Sequence, residues 1–382
     1  MKTVKSYSEI NDKIKSGKAV VLTASEFKEL AKTHKTNELV QKVDVVTTAT
    51  FGPMCSSGAF LNFGHSNPAM RLEKLTLNDV PAYGGLAAVD AFIGATETAN
   101  PQDKYGGAHV IEDLIAGKDV RVKATSKGTD CYPRKEIETN VNINDLNEAF
   151  LFNPRNAYQN YASAVNSLRK KLYTYMGVLL PNYGNINYST SGEYSPLLND
   201  PEMRTIGIGT RLFLGGAQGF VAWNGTQFNT SRPINAYGIP LLPAATLSLI
   251  GNMKEMSTNF IKAAYYEKYG TTLFVGVGVP IPVLDEDLAG RLSIRNKQIE
   301  THVLDYALDE RPMLGKVNYE QLQSGFIELK GKKIRAASLS SIKSAIKIMD
   351  LLKQEISNGK FYLAEPVQSF PKETIIKPLK IR

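Results

Sequence analysis

An α/β fold with one or more mixed sheets, helices packed on them and glycine-rich loops forming a central cleft is what this sequence predicts, and three patterns carry the prediction. The first fifty or so residues alternate between helical and strand periodicity. Two later apolar runs, "TIGIGTRLFLGGAQGFVAW" and "TLFVGVGVPIPVL", read as buried strands punctuated by glycine or proline. Between about 52 and 110 the chain is dense in glycine, alanine and short polar residues, a composition that lets backbone approach a ligand closely and that also serves plain tight turns.

Taken in order, "SYSEINDKIKSG" predicts a helix with Ser8 as N-cap, Ile10 and Ile14 on its apolar side and Gly17 as its stop, followed by the strand "AVVLT". Ser25 is the expected cap of a second helix, "EFKELAKTH", and "VDVVTTATFG" reads as a buried strand ending in a glycine turn. "TIGIGTRLFLGGAQGFVAW" predicts strand, glycine turn, strand, and it lacks the G-x-G-x-x-G fingerprint of a dinucleotide site. The clearest helix spans 338–358, with Ile342, Ile346, Met349, Leu352 and Ile356 as a core-facing stripe and Gly359 as its end. The 382 residues exceed what one core usually supports, so the chain is either one elaborated catalytic domain or two lobes, 1–150 and 151–335, with the helix appended.

Composition narrows the function classes. A net charge of +8 permits an acidic partner, but basic residues are spread end to end and no RNA-binding signature appears, so nucleic acid is not expected. No run of eighteen apolar residues exists and the N-terminus is charged throughout, which argues against a membrane span or a secretory signal and for the cytoplasm. Two cysteines cannot build a disulfide framework or hold an iron–sulfur cluster, and the four histidines lack zinc-site spacing, so no metal site and no tightly bound cofactor are expected.

Cys131, in "SKGTDCYPRKE", is the leading catalytic candidate, because Lys127, Arg134 and Lys135 would favour its thiolate and stabilise an oxyanion; the bland alternative is a turn cysteine facing solvent. Cys55, in "GPMCSSG", is the second candidate, as a relay thiol, a ligand to a shared cluster or a packing residue, with Ser56 and Ser57 either hydrogen-bonding it or capping the turn.

The stretches "VDVVTTATFGPMCSSGAFLNFGH", "LNDVPAYGGLAAVDAFIGAT", "GTDCYPRKE", "LFNPRNAYQNY", "YTYMGVLLPNYGN", "SPLLNDP", "TIGIGTRLFLGGAQGFVAWNGTQ" and "VGVGVPIPVL" together resemble the homocysteine-biosynthesis proteins of archaea and anaerobic bacteria, a family read as L-aspartate semialdehyde sulfurtransferases. The resemblance runs from the N-terminus to the final helix. It implies insertion of sulfide or persulfide sulfur into the aldehyde of aspartate semialdehyde to form homocysteine. Some relatives carry CBS nucleotide-sensing domains and many act with a small ferredoxin-type protein; neither domain is expected in this chain.

Such a substrate needs a guanidinium for its carboxylate and acceptors for its amine, which makes Arg134, Arg155 and Arg211, with Asp130 and Asp200, the substrate-binding candidates. His65 and His109 are the acid–base candidates. Joining sulfide to an aldehyde stops two electrons short of a thiol, so an external two-electron donor is expected, a small ferredoxin-like iron–sulfur protein docking on a basic face. The competing reading is a non-catalytic persulfide carrier for a partner enzyme; a homo-oligomer is compatible with either. A nicotinamide-dependent reductase of the same aldehyde lacks its phosphate-binding fingerprint.

Overall fold

Helix Tyr7–Lys15 begins where Ser6 and Glu9 cap each other reciprocally, two residues before the expected Ser8, and the chain leaves it through Gly17 at φ +69°. The next helix, Ala24–Leu30, is likewise capped by Thr23 with Glu26 rather than by Ser25. Both starts obey the S/T-x-x-E rule, in which the hydroxyl accepts from the third backbone N–H and the carboxylate accepts from the cap's own N–H. The computed structural model describes residues 4–100 and 104–381.

Among the described residues, fourteen strands form one large sheet. It runs from Val21–Thr23 through Val45–Pro53, Gly270–Pro282, Arg211–Leu214, Ala217–Asn224, Leu247–Asn252, Glu148–Asn156, Gly58–Asn62, Asp90–Gly94, Val80–Tyr83 and Lys74–Leu77 to Val120–Thr125 and Glu136–Val141. Ile261–Tyr266 pairs with the start of Gly270–Pro282 as a hairpin. Nearly every pairing is antiparallel, Val21–Thr23 beside Val45–Pro53 being parallel. A second sheet orders Met313–Asn318, Glu300–Asp305, Ser163–Val165, Asn185–Tyr188, Lys332–Ser338 and Phe326–Leu329. The ribbon Leu172–Thr174 with Gly177–Leu179 stands apart from both. The large sheet takes strands from both sides of residue 150, so a boundary there cuts through it.

The fold class is the mixed α/β one that the alternation predicted. Strand "TLFVGVGVPIP" owes its glycines to the last helix, Ile342–Ser357. A Cβ on Gly276 or Gly278 would come within 2.8 or 2.7 Å of the Ile348 side chain, so the glycines let helix and strand approach. The helix buries Ala345, Ile348, Met349, Leu352 and Ile356, whereas Ile346 points outward; the stripe is rotated relative to the expected one because Ile348 takes the inner position.

Asp44 ties the first helix to the sheet. Its Oδ1 accepts from Lys5 and Lys13, both at 2.7 Å, and its Oδ2 accepts from the Val20 N–H at 3.0 Å. Burial by itself would push this carboxyl up, but the Lys13, Lys5 and Val20 hydrogen bonds outweigh it and hold it below the ordinary carboxylate range. A depressed folded-state pKa means stability that is present above the ordinary value of 3.8 and is lost as pH falls through the folded one. Asp44→Ala should therefore lower unfolding free energy at pH 7 by about 3 kcal/mol, since it leaves a partly buried lysine unpaired. In urea titrations the deficit should shrink near pH 3; a deficit independent of pH would show that packing, not charge, is at work.

Candidate active site

The strand Val45–Pro53 delivers its chain into a tight turn at 54–57, and Cys55 sits at the crest of that turn. The turn is pinned from both ends: the Met54 N–H donates to the Leu273 carbonyl at 2.7 Å, and the Ser57 hydroxyl donates to the Met54 carbonyl at 2.7 Å. Asn153 Nδ2 donates to the same Ser57 oxygen at 2.8 Å, and Ser56 Oγ lies 3.3 Å from the Arg155 carbonyl. The two serines thus cap and anchor the turn, leaving the half-buried thiol free of protein cross-links.

Opposite the thiol stand tyrosines supplied by the large sheet and by the free ribbon. Cys55 lines a cavity of about 50 Å³ together with Tyr158, Tyr161, Tyr175, Tyr266, Tyr269 and Thr272. Tyr158 and Tyr161 follow the large-sheet strand Glu148–Asn156, and Ala157 and Asn160 at φ +49° and +62° bend the chain so that both rings turn inward. Asn160 Nδ2 fixes that bend through the Pro240 and Glu300 carbonyls. Tyr175 caps the isolated ribbon, and Tyr266 and Tyr269 close the tip of the hairpin between Ile261–Tyr266 and Gly270–Pro282.

The rings pack edge to face: Tyr158 on Tyr161 at 5.0 Å, Tyr161 on Tyr175 at 6.3 Å, Tyr175 on Tyr269 at 6.2 Å. Their hydroxyls form a network. Tyr175 and Tyr306 oxygens are 3.0 Å apart, and Arg311 Nη1 donates to Tyr175 at 2.8 Å. Burial pushes Tyr158 up to about 12 against the pull of Arg155, and burial likewise raises Tyr161, Tyr266, Tyr269 and Tyr306. These phenols stay protonated at neutral pH. The arrangement is a thiol facing O–H donors, suited to adding sulfur to a carbonyl and stabilising the oxygen that becomes negative.

Cys131 lies elsewhere. It is exposed in the turn between Val120–Thr125 and Glu136–Val141, closed by Thr129 and Tyr132 exchanging backbone hydrogen bonds. Tyr132 stacks on His65 at 6.0 Å, and Arg134 donates to the Asn67 and Pro68 carbonyls at 2.7 and 3.1 Å. His65 lies three residues after the strand Gly58–Asn62 and Cys55 three residues before it. Cys131 is not among the residues that line the Cys55 cavity, so the expected cleft holding both cysteines is not seen there. An open groove of about 410 Å³ does lie beside the Cys131 turn, with His65, Arg134, Glu136 and Glu138 on its wall, but Cys131 is not among its lining residues.

The remaining candidates scatter. Arg155 lies close enough to Tyr158 for its charge to act on that phenol, while its Nε donates to Thr226 at 3.0 Å. Arg211 sits over Phe220 at 5.9 Å and donates weakly to the Tyr362 carbonyl, away from the cavity. Asp200 is buried and consumed by the Thr205 N–H and hydroxyl and the Arg204 N–H, a structural clasp that leaves it no substrate amine to bind. Asp130 is exposed beside Cys131. His109 accepts the Gly106 N–H at the start of helix Gly107–Ile115 and stacks on Tyr105, which is helix capping. The residues that sequence reasoning passed over are the tyrosines, Thr272 and Arg311. Their signal was present in "NAYQNY", "YTYMG" and "YYEKYG", three tyrosine-dense stretches in one chain.

The half-buried Cys55 thiol, walled by phenols that burial keeps protonated, is a small enclosed site of this fold that carries a nucleophile. The chain belongs to the family described as "Homocysteine biosynthesis enzyme, sulfur-incorporation", whose model matches residues 19–363. It is 50% identical over 379 residues to the L-aspartate semialdehyde sulfurtransferase of Methanosarcina acetivorans, covering 98% of this chain and 74% of that protein. It is 47% identical to the protein of the same name from Methanocaldococcus jannaschii, covering 100% of this chain and 75% of the relative. An uncharacterized protein of Methanothermobacter thermautotrophicus is 31% identical over 83% of this chain and 72% of its own length. No solved structure matches. Among the described residues no helix is long and apolar enough to cross a membrane.

Proposed function

We propose that this chain is an L-aspartate semialdehyde sulfurtransferase that makes homocysteine at the tyrosine-walled cavity, with Cys55 as the thiol that meets the aldehyde. The observation that carries the reading is that Cys55 and Tyr269 line one cavity, too small to admit more than the reacting end of a small molecule. At about 50 Å³ it holds a few atoms, since one water needs about 10–15 Å³. The aldehyde would enter while the amino-acid end stays at the mouth, where Arg155 or Arg311 is available to its carboxylate.

The balance is simple. Aldehyde and hydrogen sulfide combine with loss of water to a thioaldehyde, which takes two electrons and two protons to become the thiol. Sulfur held on Cys55 as a persulfide needs two more electrons to release it. The electrons come from an external donor, for which a reduced iron–sulfur protein is the chemical class that fits. Cys131, exposed and flanked by Lys127, Arg134 and Lys135, would take sulfane sulfur by exchange from an external persulfide, whose own thiol is the leaving group, rather than hand sulfur to Cys55 in the same chain.

The test is the anaerobic purified protein with aspartate semialdehyde, sulfide and reduced methyl viologen, scored for homocysteine. Formation over many turnovers is expected. A yield no greater than that of the protein-free mixture would overturn the assignment, and transfer of labelled sulfur from the protein to an acceptor enzyme without homocysteine formation would favour a carrier.

A further inference from the structure

Strand Gly270–Pro282 presents two adjacent threonines to opposite faces, as the two-residue repeat of a strand requires. Thr271 points to one side and its hydroxyl donates to the Ala95 carbonyl at 2.9 Å. Thr272 points to the other, into the Cys55 cavity; it is 1% exposed, and its hydroxyl has no hydrogen-bond partner in the protein. A buried hydroxyl left unpaired costs stability, and a fold retains one where something else is meant to pair with it. The Met54 N–H bonds the Leu273 carbonyl, so the turn bearing Cys55 is stitched to the residue next to Thr272. Three residues before Thr272 on the same hairpin, Tyr269 lines the same cavity as Cys55 and Thr272.

We propose that Thr272 and Tyr269 form the oxygen-binding pair of the site: their hydroxyls hold the carbonyl oxygen of the aldehyde while sulfur adds to its carbon. This rests on the assignment of Cys55 as the reacting thiol. In the addition a carbon–sulfur bond forms, the carbonyl π pair moves to oxygen, the proton leaves sulfur and oxygen gains one. No electrons are gained or lost. Tyr269 donates the proton to oxygen and is reprotonated from solvent, whereas Thr272 contributes a hydrogen bond only.

The experiment compares Thr272→Val, Thr272→Ser and Tyr269→Phe with the wild-type chain in three readouts: kcat and KM for homocysteine formation, Tm, and protection of Cys55 from iodoacetamide by aspartate semialdehyde, followed on the Cys55 peptide by mass spectrometry. Thr272→Val should lower kcat about 10²-fold, as loss of one oxyanion donor does. It should also raise the semialdehyde concentration giving half-protection about tenfold, and leave Tm unchanged or higher because an unpaired buried hydroxyl has been removed. Thr272→Ser should restore kcat to within about threefold of wild type. Wild-type kcat and protection in Thr272→Val would overturn the proposal, and so would a loss accompanied by a lower Tm that serine does not repair, which is the signature of packing. If the wild-type chain makes no homocysteine, the sulfurtransferase assignment fails. Protection that valine abolishes would then still support an oxygen-binding Thr272, and absence of protection in the wild type would overturn it.

Discussion

Cys55→Ser is expected to reduce homocysteine formation by on the order of 10³-fold or more, with an unchanged Tm, because the serine oxygen fits the turn but can neither attack as a thiolate nor carry sulfane sulfur. The turn at 54–57 is held by Ser57, Asn153 and the Leu273 carbonyl, none of which bonds the sulfur, so the fold has no stake in the thiol. Cys131→Ser should cost far less when sulfide is supplied directly, since nothing ties that exposed turn to the cavity. The measurement is single-turnover product formation with all three proteins. Near-wild-type turnover in Cys55→Ser, with loss in Cys131→Ser, would return the chemistry to the surface turn.

The second large effect concerns stability. Lys28, in helix Ala24–Leu30, is fully buried, its ammonium nitrogen donating to Asn199 Oδ1 at 2.8 Å and to the Leu292 carbonyl at 2.5 Å. Burial, against the opposing pull of Glu193, lowers its pKa from the ordinary 10.5 to about 7. The unfolded chain therefore binds a proton between pH 7 and 10.5 that the folded chain does not. Stability contributed by this residue rises with pH across that window, and the desolvation cost is fully present below about pH 7. The span amounts to a few kcal/mol at about 1.4 kcal/mol per pH unit. Chemical denaturation of the wild type and of Lys28→Met from pH 6 to 10 should show a rise in the wild type that the methionine variant lacks; parallel curves would mean that Lys28 keeps its charge in the folded state.

The three stretches read most fully from sequence are those whose evidence is local. Strands Val45–Pro53 and Gly270–Pro282 and helix Ile342–Ser357 were legible because apolar period and glycine punctuation are written into a few neighbouring residues. The first two helices start at Ser6 and Thr23, two residues before the expected Ser8 and Ser25, and Ser6 with Glu9 and Thr23 with Glu26 spell the capping box; Ile348 and not Ile346 faces the core because spacing alone does not say where the partner strand lies. Asp200 has the chemistry of an amine ligand in the sequence, but in the fold Thr205 and Arg204 occupy both of its oxygens.

By itself the sequence determined the fold class, the buried strands, the presence of two thiols in glycine-bounded turns and, through the extent of its likeness, the family. Only the tertiary structure decided which thiol has a chamber. The cavity draws Cys55 from one turn, Tyr158 and Tyr161 from the end of a second strand, Tyr175 from a free ribbon, and Tyr266, Tyr269 and Thr272 from a hairpin more than two hundred residues downstream of the thiol. Each of these residues taken singly reads as an ordinary packing tyrosine or a strand threonine. Their chemistry arises from mutual burial, which raises the phenols and leaves one hydroxyl unpaired, and burial is a property of the packed sheets that no local window of sequence contains.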